Sequence, residues 1–314
     1  MDYVEQEIIV RTNKDDNPGI AISVGGPLLS HLEKTVRPCV RMALTGRSSM
    51  VGQPPTWLRA AWDFRALDFS RRDGNTVLHI AAPTLGVAAP RIFEQQSLWE
   101  KAVRPDETAL DLFGKLVADV RAQSDSSDTY DEPLLQRLTG WHGLLQTKVK
   151  AVQLPSMAFM STGAELDESV VVAARALSSR IPTPRQIRLV GKIDMVRWST
   201  RSMAIRVEDG SEYRCAVIND EIGDLGQYGG QEVTLLGKAI YRPTGSVLRL
   251  DVEQVLNTTV GRAAYSDVPL SFENRHETER KRQTVKHGVS VVFGSWPGDE
   301  SDEELLAGLA ELRH

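Results

Sequence analysis

The sequence predicts a mixed α+β domain over residues 1–184 and a small all-β, OB-like barrel over residues 185–257, followed by a C-terminal amphipathic helix. Helical and β-rich patterns alternate in the first part, whereas the chain after Ile181-Pro182-Thr183-Pro184 is almost entirely β-rich. Five β-rich stretches follow that boundary, with a short polar stretch between the third and the fourth that is long enough for a helical turn or two. This is the strand order of an OB-fold, and an SH3-like barrel is the competing interpretation.

The first domain begins with a strand at residues 7–11, which strong turn chemistry follows. Residues 20–24 fit a second short strand. A helical pattern then opens at Pro27, with apolar residues four apart on one face, and Pro38 predicts a kink or a break within it. A hairpin is predicted where Asp73-Gly74-Asn75 separates two β-rich runs.

The rest of the first domain is mainly helical by pattern. Helices are predicted at residues 85–101, 107–123, 133–146 and 166–179, with a strand at residues 149–154. Four tryptophans sit at helical spacing among aliphatic residues, so we expect core positions for Trp57, Trp62, Trp99 and Trp141. Both cysteines lie in apolar surroundings, so Cys39 and Cys215 are expected to be two buried free thiols rather than a disulfide.

The predicted barrel strands cover residues 186–198, 202–207, 213–218, 233–241 and 247–255. Gly191 and Gly237 fall in the middle of two of them, where a small barrel needs a bend or a bulge. Beyond the barrel, residues 258–288 are polar and basic and are predicted to be a linker. Residues 289–314 form a separate acidic tail, in which Ser301 and Glu304 have the spacing of a capping box.

Charge and composition bound the classes of function. The net charge of −5 argues against a protein that coats nucleic acid over its whole surface, although it allows a local basic face. No apolar run is long enough to cross a bilayer, and the N-terminus lacks the apolar core of a signal peptide. A soluble cytoplasmic protein that does not bind membranes is therefore expected, and its oligomeric state is left open.

No catalytic motif, metal-ligand cluster or cofactor-binding loop is apparent in the sequence. The histidines are scattered, and neither cysteine has a Cys or His at ligand spacing. His79 alternates with Leu78 and Ile80 in a predicted strand, which is typical of a histidine on a strand surface. A non-enzymatic binding protein is expected, and a carboxylate–metal enzyme assembled from distant residues is the enzymatic alternative.

The predicted barrel interleaves basic and aromatic residues, and OB barrels use this combination to hold and stack single-stranded nucleic acid. The competing interpretation is that these side chains are simply solvated, because acidic residues such as Asp194 and Glu208 dilute the positive charge. The candidate nucleic-acid-binding residues are Lys192, Arg197, Trp198, Arg201, Tyr213, Arg214, Tyr241 and Arg242.

The acidic tail carries leucines on one helical face and is too short to be stable alone, so it needs a surface on which to dock. That surface is either its own barrel or the groove of a partner protein. The candidate partner-binding residues are the apolar Phe293, Trp296, Leu305, Leu306, Leu309 and Leu312 together with the basic Arg280, Lys281 and Arg282.

The barrel stretches VGKIDMVRWSTRSMAIRVEDG and VTLLGKAIYRPTGSVLRLDVEQV and the tail stretch FGSWPGDESDEELLAGLAEL resemble those of bacterial proteins encoded beside PIN-domain toxin nucleases. The resemblance covers roughly a third of the chain. It implies an antitoxin-like role, in which the tail grips and neutralises a partner nuclease. It also implies that a basic residue between positions 280 and 286 lies near the acidic metal site of that nuclease and displaces metal or RNA.

Overall fold

The computed structural model describes residues 3–12, 20–50, 52–94, 103–155, 163–219, 222–257 and 266–269. All of them belong to one compact unit, Met1–Pro269, which contains a helix-covered sheet and a closed five-stranded barrel. The predicted combination of an α+β part with a small barrel is therefore confirmed. A second unit, Leu270–His314, lies outside the described residues, so the amphipathic tail helix stays a prediction.

The first part of the chain forms what we call the helical body, residues 3–180. Its strands pair in the order β2-β3-β1-β4-β5, and every pair is antiparallel. Ile8 and Val10 of the central strand turn to one face of the sheet, where they share a core with the buried sides of the long helices. The elements are β1 (Tyr3–Thr12), α1 (Ile22–Thr45), α2 (Thr56–Ala61), β2 (Arg65–Arg72), β3 (Asn75–Pro83), α3 (Leu85–Ala88), α4 (Pro90–Glu94), α5 (Ala109–Arg121), α6 (Glu132–Thr139), α7 (His142–Thr147), β4 (Val149–Gln153), β5 (Glu165–Asp167) and α8 (Glu168–Arg180).

Helix α1 runs through two prolines without ending. Pro27 has no N–H to donate to the carbonyl of Ser23, and Lys148 Nζ donates to that oxygen instead, at 2.6 Å. A kink or a break is predicted at Pro38; the break does not occur, because the helix and its buried face continue beyond it with Cys39 and Val40.

Two local predictions for the helical body are confirmed. Strands β2 and β3 form the predicted hairpin, and its turn has positive φ at Asp73 (51°) and at Gly74 (77°), as a type I′ turn requires. Helix α5 begins at the predicted place because Thr108 and Asp111 form a capping box, each accepting a hydrogen bond from the backbone of the other.

Three other predictions for the helical body differ from the structure. The strand predicted at residues 20–24 is wrong, because helix α1 already begins at Ile22. The helix predicted at residues 85–101 is two short helices, α3 and α4, as far as the chain is described. The helix predicted at residues 133–146 is divided into α6 and α7 at Trp141, whose ring is fully buried and whose Nε1 donates to Thr35 Oγ1 at 2.9 Å.

The aromatic and thiol predictions agree with the structure wherever their residues are described. Trp62 is buried like Trp141, and Trp57 packs against the same core, whereas Trp99 lies outside the described residues. Cys39 and Cys215 are both buried and unbridged. Among the described helices, none combines the length and the apolar character that a bilayer crossing requires.

The barrel spans residues 185–257 and closes in the strand order β10-β8-β7-β6-β9. Strands β8 and β10 pair in parallel, and all other neighbours are antiparallel. Its elements are β6 (Arg185–Arg197), β7 (Ser202–Arg206), β8 (Glu212–Val217), the 3₁₀ helix η1 (Leu225–Tyr228), β9 (Glu232–Tyr241) and β10 (Val247–Asn257).

A bulge next to Gly237 lets the barrel close. The register of β10 against β9 shifts between Val252 and Gln254, directly opposite this glycine. A Cβ at Gly237 would lie 2.1 Å from the backbone oxygen of Asp251, so no larger residue fits at this position. The predicted bend or bulge at Gly237 is thus confirmed.

A short piece of chain beyond the barrel lies along β6. The backbone N–H of Asp267 donates to the carbonyl oxygen of Arg188 at 2.7 Å, and the N–H of Val190 donates to Ser266 Oγ at 3.1 Å. Strand β7 pairs with β6 only from Lys192 onward, so residues 266–269 cover the part of the β6 edge that β7 leaves.

Candidate ligand-binding cleft

The outer face of strands β6, β7 and β8 carries small residues flanked by longer ones. Ser202 in β7 pairs with Arg197 in β6 and with Ala216 in β8. The next row on the same face is formed by Ala204, which pairs with Met195 and with Arg214. Small side chains in the middle leave room for a ligand above the strands.

The helical body lies opposite this face and turns it into a cleft of about 630 Å³. A volume of this size falls within the range of about 300–1,000 Å³ that is usual for ligand pockets. The wall from the helical body includes the end of α1, with Met42 and Leu44, and the side chains of Ile92 and Phe93 from α4. The wall from the helical body is therefore mainly apolar, whereas the barrel wall combines arginine and hydroxyl side chains with small and apolar ones.

Four cationic side chains line the cleft, Lys115, Arg197, Arg214 and Arg249, together with the carboxylate of Asp128. Arg197 and Arg214 come from the barrel, and Lys115 comes from α5. The Nζ atom of Lys115 lies 2.5 Å from a carboxylate oxygen of Glu107, which is almost fully buried. Three of the four cations are paired with carboxylates: Lys115 with Glu107, Arg214 with Asp128, and Arg249 with Asp131.

The cleft is bridged at its rim by what we call the outer link, Asp128 with Arg214 and Arg242. Asp128 belongs to the connection between α5 and α6, and its carboxylate accepts from Arg214 Nη1 at 2.9 Å and from Arg242 Nε at 3.0 Å. The Asp128 side chain is 42% exposed, so this link is only partly shielded from solvent. It joins the helical body to β8 and to the residue that follows β9.

A second connection, the buried link, joins Asp131 to Arg249, whose side chain lines the cleft. The carboxylate of Asp131 lies 3.1 Å from Arg249 Nη1, and the two side chains are 0% and 6% exposed. The same guanidinium donates to the carbonyl oxygen of Gly46 at 3.1 Å, and its Nε donates to Asp251 at 2.7 Å. Asp131 also accepts from the N–H of Ser48 at 3.1 Å. All the charge buried here is thus compensated by close partners.

Both cysteines take part in the lining of the cleft. Burial raises the pKa of Cys39 and, together with the charge of Asp251, that of Cys215. Both therefore stay protonated at neutral pH, and neither is poised as a nucleophile.

Four of the predicted nucleic-acid-binding residues lie in the cleft, at its rim or next to a lining residue in sequence, and the other four lie elsewhere on the barrel. Arg197 and Arg214 lie in the cleft, and Arg242 lies at its rim. Trp198 follows Arg197 in the loop after β6 and is 50% exposed. Its ring covers Gly226, where a Cβ would lie 2.2 Å from the ring, so the indole is held in place by η1.

The remaining predicted residues lie elsewhere on the barrel. Lys192 is exposed on β6, and Tyr213 is half-buried on β8. The guanidinium of Arg201 donates to the carbonyl oxygens of Asn219 and Ile222 and is thus engaged within the barrel. Tyr241 is 2% exposed, so its prediction as a nucleic-acid-binding residue is wrong, because no face of its ring is open to a base.

Sequence reasoning missed several residues that shape the cleft. Lys115, Asp128 and Asp131 belong to the predicted helical part, which suggested no site, and Arg249 was one basic barrel residue among several. The one local signal for any of these residues was the suitability of Asp131 as the N-cap of α6. The predicted partner-binding residues between 280 and 312 all lie outside the described residues.

A second polar cluster lies on the open face of the sheet. Ser70 Oγ is 2.7 Å from His79 Nε2, and His79 Nδ1 is 3.8 Å from the carboxylate of Glu7. Arg72 binds both oxygens of that carboxylate, at 2.7 and 2.8 Å, and this lowers the pKa of Glu7. The carboxylate is thus oriented towards Arg72 rather than the histidine, and the cluster is a solvent-facing polar network. Among the described residues, no three His, Cys, Asp or Glu side chains are grouped to hold a metal ion.

No protein-family model, curated protein or solved structure matches the chain at a significant level.

Proposed function

We propose that the protein is a non-enzymatic binder of single-stranded nucleic acid, which it holds in the cleft. The barrel has the features of an OB-fold: β6 pairs with both β7 and β9, β8 pairs in parallel with β10, and η1 separates β8 from β9. OB barrels bind oligonucleotides on the face of their second and third strands, which here are β7 and β8. The cleft lies over this face.

The observation that carries the proposal is the composition of the cleft. Arg197 and Arg214 flank a floor of small residues, and guanidinium groups are well suited to phosphate oxygens. On the opposite wall Phe93 is the partly exposed apolar side chain, next to the buried Met42 and Leu44, and its ring suits the flat face of a base. A strand of nucleotides presents both surfaces at once, a charged edge and an apolar edge.

Trp198 supports the same proposal. Trp198 directly follows Arg197 of the cleft lining, and its half-exposed indole is a stacking platform that the contact with Gly226 holds in one orientation before a base arrives. A rigid aromatic ring loses little conformational entropy on binding. The net charge of −5 disfavours contact of a polyanion with the rest of the surface, so binding is confined to the cleft.

The test is fluorescence anisotropy with a labelled single-stranded DNA and with RNA of the same sequence. Loss of one charged hydrogen bond costs about 1.5–3 kcal/mol, so Arg197→Gln should weaken binding about tenfold or more. Trp198→Ala should weaken it by about 1–3 kcal/mol, the usual value of one stacked base. The affinity should fall with salt, and Arg197→Gln should reduce the slope of log K against log salt by about 0.7.

The matched control is Lys238→Gln. Lys238 is also an exposed cation of the barrel, but it lies on β9, which contributes no residue to the cleft, and it pairs with Glu253 at 3.5 Å. The control variant should bind like the unaltered protein. Equal losses in Lys238→Gln and Arg197→Gln would mean that general charge attracts the strand, and the proposal would be wrong.

The antitoxin-like role remains a separate proposal, which rests on the resemblance of the barrel and tail stretches. In that role the tail leucines and Trp296 bind a partner nuclease. The two proposals are compatible, because they use different parts of the chain.

A further inference from the structure

Both charged links described between the helical body and the barrel reach the β10 and β8 side of the barrel face. On the barrel face the strands follow one another as β10, β8, β7 and β6. The buried link reaches Arg249 in β10, and the outer link reaches Arg214 in β8 and Arg242 after β9. Arg197 and Trp198 lie at the opposite side, on β6 and the loop that follows it.

These connections limit what can pass through the cleft. A polynucleotide that runs through a groove needs an entrance and an exit. The Asp128–Arg214 and Asp131–Arg249 pairs are in direct contact, at 2.9 and 3.1 Å, so no backbone fits between their partners. A continuous strand that crosses the barrel face from β6 towards β10 would have to break at least one of them, whereas a strand that stops inside the cleft leaves both intact.

We propose that the cleft receives the end of a single strand rather than a run of internal nucleotides. The strand enters past Trp198, on which a base stacks, and its terminal nucleotides lie between the apolar wall and Arg197. The strand ends against the cationic side chain of Arg214 at the outer link. This inference rests on the proposed function, since it specifies which part of a nucleic acid the same site holds.

The experiment compares two unlabelled competitors against a labelled linear strand bound to the full-length protein. One is a linear DNA of about 40 nucleotides with a 5′-phosphate, longer than the site of a single OB barrel. The other is the same sequence closed into a circle, which has the same number of phosphates but no end. We expect the linear competitor to displace the labelled strand at a concentration about tenfold lower than the circle does.

Equal competition by the circle and the linear strand would overturn the inference and leave the proposed function standing. Failure of the labelled linear strand to bind at all would overturn both, so the two failures are distinguishable.

A second variant locates the barrier. Asp128→Asn removes the charge that holds Arg214 and Arg242, and it should bring the affinities for circle and linear strand closer together. Asp125→Asn is the control, because Asp125 is equally exposed, at 42%, and pairs with Arg180 within the helical body. Strand binding with an unchanged preference in Asp128→Asn would overturn the assignment of the outer link as the barrier.

Discussion

Replacement of Asp131 by alanine should destabilise the whole unit, because this one carboxylate joins the helical body to the barrel. It caps helix α6 by accepting from the N–H of Leu134 at 3.3 Å, it accepts from Ser48, and it neutralises the buried guanidinium of Arg249. No other charged link between the two parts described above is as completely removed from solvent.

The size of the effect follows from these contacts. Removing one partner of a buried ion pair costs about 3–5 kcal/mol, and the remaining contact of Arg249 with Asp251 places this loss at the lower end. Loss of the helix cap adds about 1 kcal/mol. A total of about 4 kcal/mol, set against an unfolding entropy of about 2.1 cal/mol/K per residue for the unit Met1–Pro269, lowers Tm by roughly 7 °C.

The assay is thermal and urea-induced unfolding followed by circular dichroism, with Asp128→Asn as the control. Asp128 also links the two parts, but its side chain is 42% exposed, so its loss should cost less than about 1 kcal/mol. The double variant Asp131→Leu with Arg249→Met should recover much of the loss, since it removes both buried charges. A decrease below about 1 kcal/mol in Asp131→Ala would refute the reasoning that the buried link holds the parts together.

Three further predictions concern single groups and the tail. Cys39 and Cys215 should react with iodoacetamide only as fast as the unit unfolds, because burial raises the pKa of both thiols; rapid labelling of the folded protein would contradict this. Burial lowers the pKa of His31 from 6.5, and the charge of Lys34 lowers it further. Below pH 6.5 the folded chain therefore binds fewer protons at this residue than the unfolded chain does, so the free energy of unfolding should fall as the pH drops. Urea titrations of His31→Gln should show a weaker fall over that range, and an unaltered slope would be evidence against it. A chain ending at Thr284 should no longer co-purify with a nuclease encoded beside it, and undiminished co-purification would remove the tail from the antitoxin-like proposal.

Much of the fold could be predicted because its signals are local. The hairpin turn follows from Asp73 and Gly74 between two β-rich runs, the start of α5 follows from two capping residues three positions apart, and the barrel strands show as β-rich runs separated by turns. The course of α1 was harder to predict, because the carbonyl that Pro27 leaves without a partner is satisfied by Lys148, far along the chain. Local pattern contains no information on such a contact.

The cleft was predicted only in part, for the same physical reason. Arg197, Trp198 and Arg214 could be singled out because basic and aromatic residues interleave in the barrel strands. The wall that faces them comes from helices more than 80 residues away in sequence, and Asp131 and Arg249 meet only after both parts have folded. The burial of Tyr241 likewise depends on barrel closure, which periodicity alone does not determine.

Residues 266–269 also determine how short the chain can be made. They satisfy the backbone of Arg188 and Val190, at an edge that would otherwise present unpaired N–H and C=O groups to any extended peptide. A protein shortened to residue 257 would keep every strand of the barrel but would expose the unpaired backbone edge of β6, to which another extended chain could bind. Self-association of that shortened form, relieved when the chain is extended to Pro269, is the behaviour that this arrangement leads us to expect.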